Sequence, residues 1–267
     1  MTVGFSGAVA EYYAEFRRGY PSQVFDALQE AFELSEADVV LDVGCGTGQL
    51  ALPFASRVRS VVGMDPEPDM LRLARDAADD QGIRNATWML GADTDVPALR
   101  ALMGERSLAL TVIGQALHWM QHDELFRAVT PMLRRGGGIA VISNGTPLWL
   151  QDTAWSRALR GCLEGWFGTT LEASCGTSSH DRLRYAQALK CAGFVDVREL
   201  AVEYSGELSF DQLFGGVCSA IPEDQLPGPD DRVVFAERIR QALPADERFT
   251  EHVRVSMLVG QVGDLDS

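Results

Sequence analysis

Two histidines four residues apart close the segment "GQALHWMQH" (114–122), and they are the first candidates for chemistry in this chain. On a helix that spacing would put His118 and His122 on one face, as a metal site can require. The glutamate of the zinc-protease pattern H-E-x-x-H is missing, so the spacing alone is weak support for a metal, and none is expected. The other reading makes His118 a base near its ordinary pKa, with Gln115 as a polar contact beside it. A second group is "LDVGCGTGQL" (41–50), where Gly44, Gly46 and Gly48 separate an apolar run from a helical one. Such a loop turns tightly and exposes bare backbone, and the helix behind it offers unpaired N–H groups. A dinucleotide loop would need glycine at position 49, where Gln49 stands. Asp42 comes just before the loop; a carboxylate there repels a phosphate and attracts a cation or an amino acid's ammonium. Asp65 ends the next apolar run, where a carboxylate can accept both hydroxyls of a ribose.

These groups depend on the elements that carry them. "ADVVLDVG", "RSVVGMD", "NATWMLGAD", "SLALTVIGQAL" and "GIAVISNG" read as five strands. Between them "GQLALPFASRV" (with Pro53 in its first turn), "PEPDMLRLARDAADDQG" and "HDELFRAVTPMLRRGGG" read as helices. Strands alternating with long helices imply a parallel sheet covered on both faces. After residue 144 the rhythm breaks. Helical "PLWLQDTAWSRALRGCLEGWF" and "SSHDRLRYAQALKCAGF" precede a strand in "VDVRELAVEYS". Helical "SFDQLFGGVCSAI" and "DDRVVFAERIRQAL" then lead to a last strand in "FTEHVRVSMLVGQV". The expectation is an α/β fold in a single domain over 1–267, with N-terminal lid helices in 1–35 and an inserted helical cap around 146–178.

The 267 residues are 46 % hydrophobic and 23 % charged, as in a soluble protein with a sizeable core. A formal charge of −15 without a Lys/Arg stripe argues against nucleic acid or an anionic membrane as partner. Five scattered cysteines, Cys45, Cys162, Cys175, Cys191 and Cys218, form no C-x-x-C pair and suit reduced thiols. The N-terminal stretch has no basic start followed by an apolar core, so no signal peptide is expected and the cytoplasm is the expected location.

Taken together, "LDVGCGTGQL", "VVGMDPEPDML", "GADTDVPAL", "VIGQALHWM" and "MLRRGGGIAVIS" resemble the class I S-adenosylmethionine-dependent methyltransferases, in particular the small-molecule type 11 group. The resemblance spans about residues 10–145, with an echo in "CAGFVDV" and the final strand. It implies a Rossmann-like doubly wound sheet of seven strands, mostly parallel with an antiparallel edge hairpin. It also implies S-adenosylmethionine as cofactor, S-adenosylhomocysteine as product and a small-molecule acceptor, with the protein a monomer or homodimer. By the same resemblance Gly44, Cys45, Gly46 and Gly48 line the methionine part of the cofactor, and Asp42, by its charge before the loop, is counted with them. Asp65 holds the ribose, and Pro66 and Met70 lie near the adenine, together with Ala92 and Asp93 of "GADTD". Ala109 stands where the family often has aspartate. Tyr13 and Arg17 of "EYYAEFRRGYP" would meet the methionine carboxylate.

Methyl transfer needs an aligned acceptor, exclusion of water and, for a protonated nucleophile, removal of a proton. His118 is the catalytic candidate, either as that base or as a residue that shapes the pocket. Trp119 could supply a cation–π wall. The aromatic Tyr12, Trp149, Trp155 and Trp166 have two readings, core or substrate wall. If they are wall, the acceptor is a largely apolar or aromatic metabolite, such as one of natural-product biosynthesis. Two other functions use the same cofactor residues: a cyclisation or rearrangement with the cofactor structural, and a regulatory protein that only senses it.

Overall fold

All five residues of strand β1 (Val39–Val43), VVLDV, are buried, as a central strand covered on both faces requires. In the computed structural model, which describes residues 4–171, 176, 178–245 and 248–263, six further strands follow. They are β2 (Ser60–Asp65), β3 (Ala86–Leu90), β4 (Leu108–Gly114), β5 (Leu133–Asn144), β6 (Phe194–Leu208) and β7 (Phe249–Val262). The sheet order is β3-β2-β1-β4-β5-β7-β6. Neighbours from β3 to β5 pair in parallel, while β7 runs antiparallel to β5. This is the seven-stranded, mostly parallel sheet with an antiparallel edge that the sequence implies.

The helices are α1 (Gly7–Phe16), α2 (Ser22–Ala31), α3 (Ala51–Ala55), α4 (Pro68–Asp80) and α5 (Val96–Met103). After them come α6 (His122–Val129), α7 (Ala154–Phe167), α8 (Ser179–Cys191), α9 (Phe210–Cys218) and α10 (Pro229–Ala242). Side-chain caps fix three starts. Thr153 accepts from the Ser156 N–H, Ser178 from the Asp181 N–H, and Ser209 and Gln212 form a reciprocal capping box. Among the described residues no helix is long and apolar enough to cross a membrane.

The chain divides into two compact units. The larger comprises 18–144, 175–202 and the residues from 255 onward; the other comprises the residues up to Arg17, 145–174 and 203–254. In the larger unit Leu41, Ile113, Phe126, Ile139 and Leu189 are central to the core. In the smaller unit α1, α7, α9 and α10 close around Trp155, Leu159, Leu213 and Phe235. Cys175 and part of the expected cap, residues 172–175 and 177, lie outside the described residues.

One helix expected from the sequence ends early. α6 stops at Val129, a single 3₁₀ turn spans Thr130–Met132, and "LRRGGG" belongs to β5. Pro131 cannot continue the helical ladder. The glycines suit the strand because a Cβ at Gly138 would lie 2.2 Å from the Gly260 carbonyl oxygen of β7.

Candidate functional site

Register places the chemistry. Val43 pairs with Met64, so β1 and β2 end together and the glycine loop emerges beside Asp65. The chain continues to β2 on one side of β1 and returns as β4 on the other. That makes the crevice at the carboxyl ends of β1 and β4 the switch point, where open α/β sheets bind ligands.

Within the crevice the loop is tied to β2. The Met64 carbonyl accepts from the N–H groups of Gly44 and Cys45 at 2.8 and 3.1 Å. Asp65 accepts from the Gly46 N–H through Oδ2 and from the Glu67 N–H through Oδ1, both at 2.9 Å. Each carboxylate oxygen keeps a lone pair for a hydroxyl donor. Burial pushes the Asp65 carboxyl up, and the two N–H donors partly offset that.

Asp42 is 1 % exposed, and among the described residues no donor meets either oxygen in good hydrogen-bond geometry; the nearby Ala51 N–H is the smallest influence on its carboxyl. Burial, and then the Asp65 charge, push its carboxyl up to about 8. An unpaired buried acid beneath a bare-backbone loop fits a cationic group and would repel a phosphate. Cys45 is buried in the same place, and burial followed by both acids pushes its thiol up, so it is inert.

Gly44 has φ +71°, and a Cβ there would lie 2.6 Å from the Ala116 Cβ and 2.8 Å from the Met120 methyl. The loop after β1 and the turn after β4 are therefore in direct contact. Asp93 reinforces that turn by accepting from the Gln121 N–H at 2.8 Å, while the Ala92 N–H donates to Asp95. Met70 is buried on α4, and Pro66 is exposed at the end of β2.

His118 occupies a 3₁₀ turn, Leu117–Trp119, so the helical i, i+4 geometry is interrupted before α6 begins at His122. It lines a small recess, open to solvent, with Gln115, Ser143, Gly176, Arg182 and Tyr185. Burial lowers the His118 pKa, and Asp181 partly restores it, so the imidazole is neutral at pH 7. Gln115 has φ +55°, uncommon for a side chain of this type. Its N–H donates to the Ile142 carbonyl at 2.9 Å, which anchors the turn to β5. His122 packs edge-on to Tyr185, ring centres 5.3 Å apart, and its Nδ1 stands 3.4 Å from Asp123 without a hydrogen bond. Among the described residues no group of three His, Cys, Asp or Glu is placed to hold a metal ion. Trp119 is 61 % exposed.

The remaining candidates lie in the smaller unit. The Arg17 guanidinium lies 5.3 Å from the Tyr13 ring, and that of Arg232 5.6 Å from the Tyr12 ring. Trp155 is buried, its indole N–H donating to the Thr250 carbonyl at 3.0 Å, and Trp166 packs on Phe235. Trp149 is partly buried with an unpartnered indole N–H. Sequence reasoning missed Tyr185, whose spacing with Ala188 and Leu189 on α8 marks only a core face.

Comparison with known proteins points to a methyltransferase domain. Residues 40–137 match the family model described as a methyltransferase domain. A methyltransferase of Mycobacterium tuberculosis, itself uncharacterised, is 31 % identical over 144 residues, 54 % of this chain and 53 % of that protein. The Saccharomyces cerevisiae protein named probable S-adenosylmethionine-dependent methyltransferase CRG1 is 25 % identical over 130 residues, 48 % of this chain and 43 % of its own length. The chain thus spans about half the length of the curated relatives it matches. Among solved structures, a candidate type II methyltransferase of Anaeromyxobacter dehalogenans superposes with TM-score 0.60 at 20 % identity, over 92 % of this chain and 97 % of that one. The YcgJ protein of Bacillus subtilis gives TM-score 0.55 at 15 % identity, over 91 % of this chain and 100 % of that one. Residues 40–137 thus match a methyltransferase domain, and the seven-stranded sheet shares its fold with these solved structures.

Proposed function

We propose that this protein transfers a methyl group from S-adenosylmethionine to a small-molecule acceptor. The observation that carries the reading is Asp65, held at the end of β2 by the Gly46 and Glu67 N–H groups with lone pairs to spare for two ribose hydroxyls. When bound, the cofactor supplies a methyl group already activated on a sulfonium. The chain's own residues then have modest tasks. The glycine loop presents backbone to the cofactor, and Asp42, largely protonated at pH 7 without a ligand, ionises beneath a positive one. The turn after β4 brings neutral His118 to the neighbouring recess, where its ring nitrogen can take a proton from a hydroxyl or amine. Tyr13 and Arg17 keep the role that the family resemblance gives them, at the methionine carboxylate.

A small acceptor, in the cytoplasm and in natural-product metabolism, accords with the charge of −15, which disfavours nucleic acid. Calorimetry with S-adenosylhomocysteine, NAD and buffer tests the cofactor: binding of the first alone supports the reading, and preference for NAD overturns it. Incubation with an acceptor library and S-adenosylmethionine should yield S-adenosylhomocysteine and a product heavier by one methyl in equal amounts. Turnover without consumption of the donor would instead select the cyclisation or rearrangement reading.

A further inference from the structure

The recess beside His118 carries two polar atoms with nothing to bond. Tyr185 is 2 % exposed, and among the described residues no group meets its hydroxyl in good hydrogen-bond geometry; the nearby Arg184 guanidinium lies 5.2 Å from the ring centre and donates to Asp181 instead. Gln115 Oε1 is also buried and unpartnered. The Gln115 amide nitrogen already donates to the Asn144 carbonyl at 3.4 Å, which fixes the carbonyl end as the one left over. Leaving such atoms unmade costs stability, and apolar side chains of similar shape would fill the space without that cost.

We propose that this recess binds the hydroxyl or neutral amine head group of the methyl acceptor, with Gln115 Oε1 accepting its hydrogen and the Tyr185 hydroxyl donating to its lone pair. The two orphans are complementary: a carbonyl oxygen only accepts, whereas a phenol can donate. A head group that is both donor and acceptor satisfies both, while a hydrocarbon or a thioether satisfies at most one. An anion is disfavoured because Arg182, the cation on the wall, faces Glu199 at 3.6 Å. The position also fits. Ala116 lines the recess and packs against Gly44, so a head group held there adjoins the glycine loop. His118 lies on the same wall, within the recess it would deprotonate.

The inference rests on the methyl-transfer reading only for what happens to the bound head group, and the test separates the two. Phenol and anisole differ by the O–H donor, and ligand-observed NMR can follow each without cofactor. The wild-type protein should bind phenol about tenfold more tightly than anisole, the worth of one good hydrogen bond. Gln115→Asn, which draws that carbonyl back by one methylene, should erase most of that difference, while Tyr185→Phe should weaken both ligands alike. Gly176→Ala should weaken both ligands, since its Cβ would lie 2.8 Å from the Tyr185 hydroxyl and from the His118 Cβ. Tyr185→Phe should bind S-adenosylhomocysteine as the wild type does and melt no lower. Equal binding of phenol and anisole, discrimination that survives Gln115→Asn, unchanged binding of both ligands to Tyr185→Phe, or a lowered melting temperature in the Tyr185→Phe variant would each overturn the proposal. If discrimination holds but S-adenosylhomocysteine does not bind, the recess stands and the methyl-transfer reading falls.

Discussion

Asp65 accepts a hydrogen bond from the Gly46 backbone N–H at 2.9 Å, across nineteen residues of chain, and so fastens the ligand loop to the strand beside it. Its second oxygen holds the Glu67 N–H at the same distance. Asp65→Ala should therefore remove both the ribose partner and the loop's anchor. We expect S-adenosylhomocysteine binding to fall below calorimetric detection. Chemical denaturation should show a loss of about 2–4 kcal/mol, as for two hydrogen bonds to a charged group. Unchanged stability would mean that the loop holds itself.

Asp42 gives the unliganded protein a distinctive pH response. Its folded pKa is about 8 against an ordinary 3.8, through burial first and the Asp65 charge second. A carboxyl raised in the folded state binds its proton more tightly there than in the unfolded chain. Stability from this group is therefore full below pH 3.8 and declines as pH rises towards 8. Asp42→Asn should flatten that decline and melt higher than wild type near pH 8, as a melting series from pH 5 to 9 would show. Bound sulfonium should favour the ionised form, so wild-type cofactor affinity should rise over the same interval.

His118 titrates below its ordinary 6.5 because burial disfavours the imidazolium more than Asp181 favours it. If it is the base, the acid limb of kcat/KM should lie below that value. His118→Ala should lose roughly 100-fold or more in turnover, the usual worth of a general base. Cofactor affinity should stay close to wild type. An acid limb that survives the substitution would assign the proton elsewhere.

Gly44→Ala should cost roughly 2–4 kcal/mol, because a left-handed backbone and overpacking against Ala116 and Met120 act together. Denaturation midpoints would measure it. The loss should be accompanied by weaker cofactor binding, since the loop and the turn after β4 must separate to admit the methyl group.

Thiol chemistry should follow burial. Cys191 is exposed, Cys45 is buried among acids, and burial pushes the Cys218 thiol up to about 12. Peptide mapping after brief iodoacetamide treatment should find Cys191 modified well before either of the other two.

The sequence by itself determined the sheet and the place of the residues proposed to hold the cofactor. β1 and β2 are continuous apolar runs that only a buried parallel sheet accommodates, and Gly44, Gly46, Asp42 and Asp65 sit at their ends by simple counting. Local spacing also separated glycine-loop chemistries, because Gln49 stands where a dinucleotide loop needs glycine. Local spacing could not show that "RRGGG" continues as strand, since the reason is the approach of the β7 backbone to Gly138. Only the tertiary structure decided the other wall of the site. Gln115 acquires its positive φ from the turn that β5 holds, and Tyr185 reaches the same recess from a helix some seventy residues later. An unpartnered hydroxyl is a property of everything packed around it, and no periodicity along one helix records that.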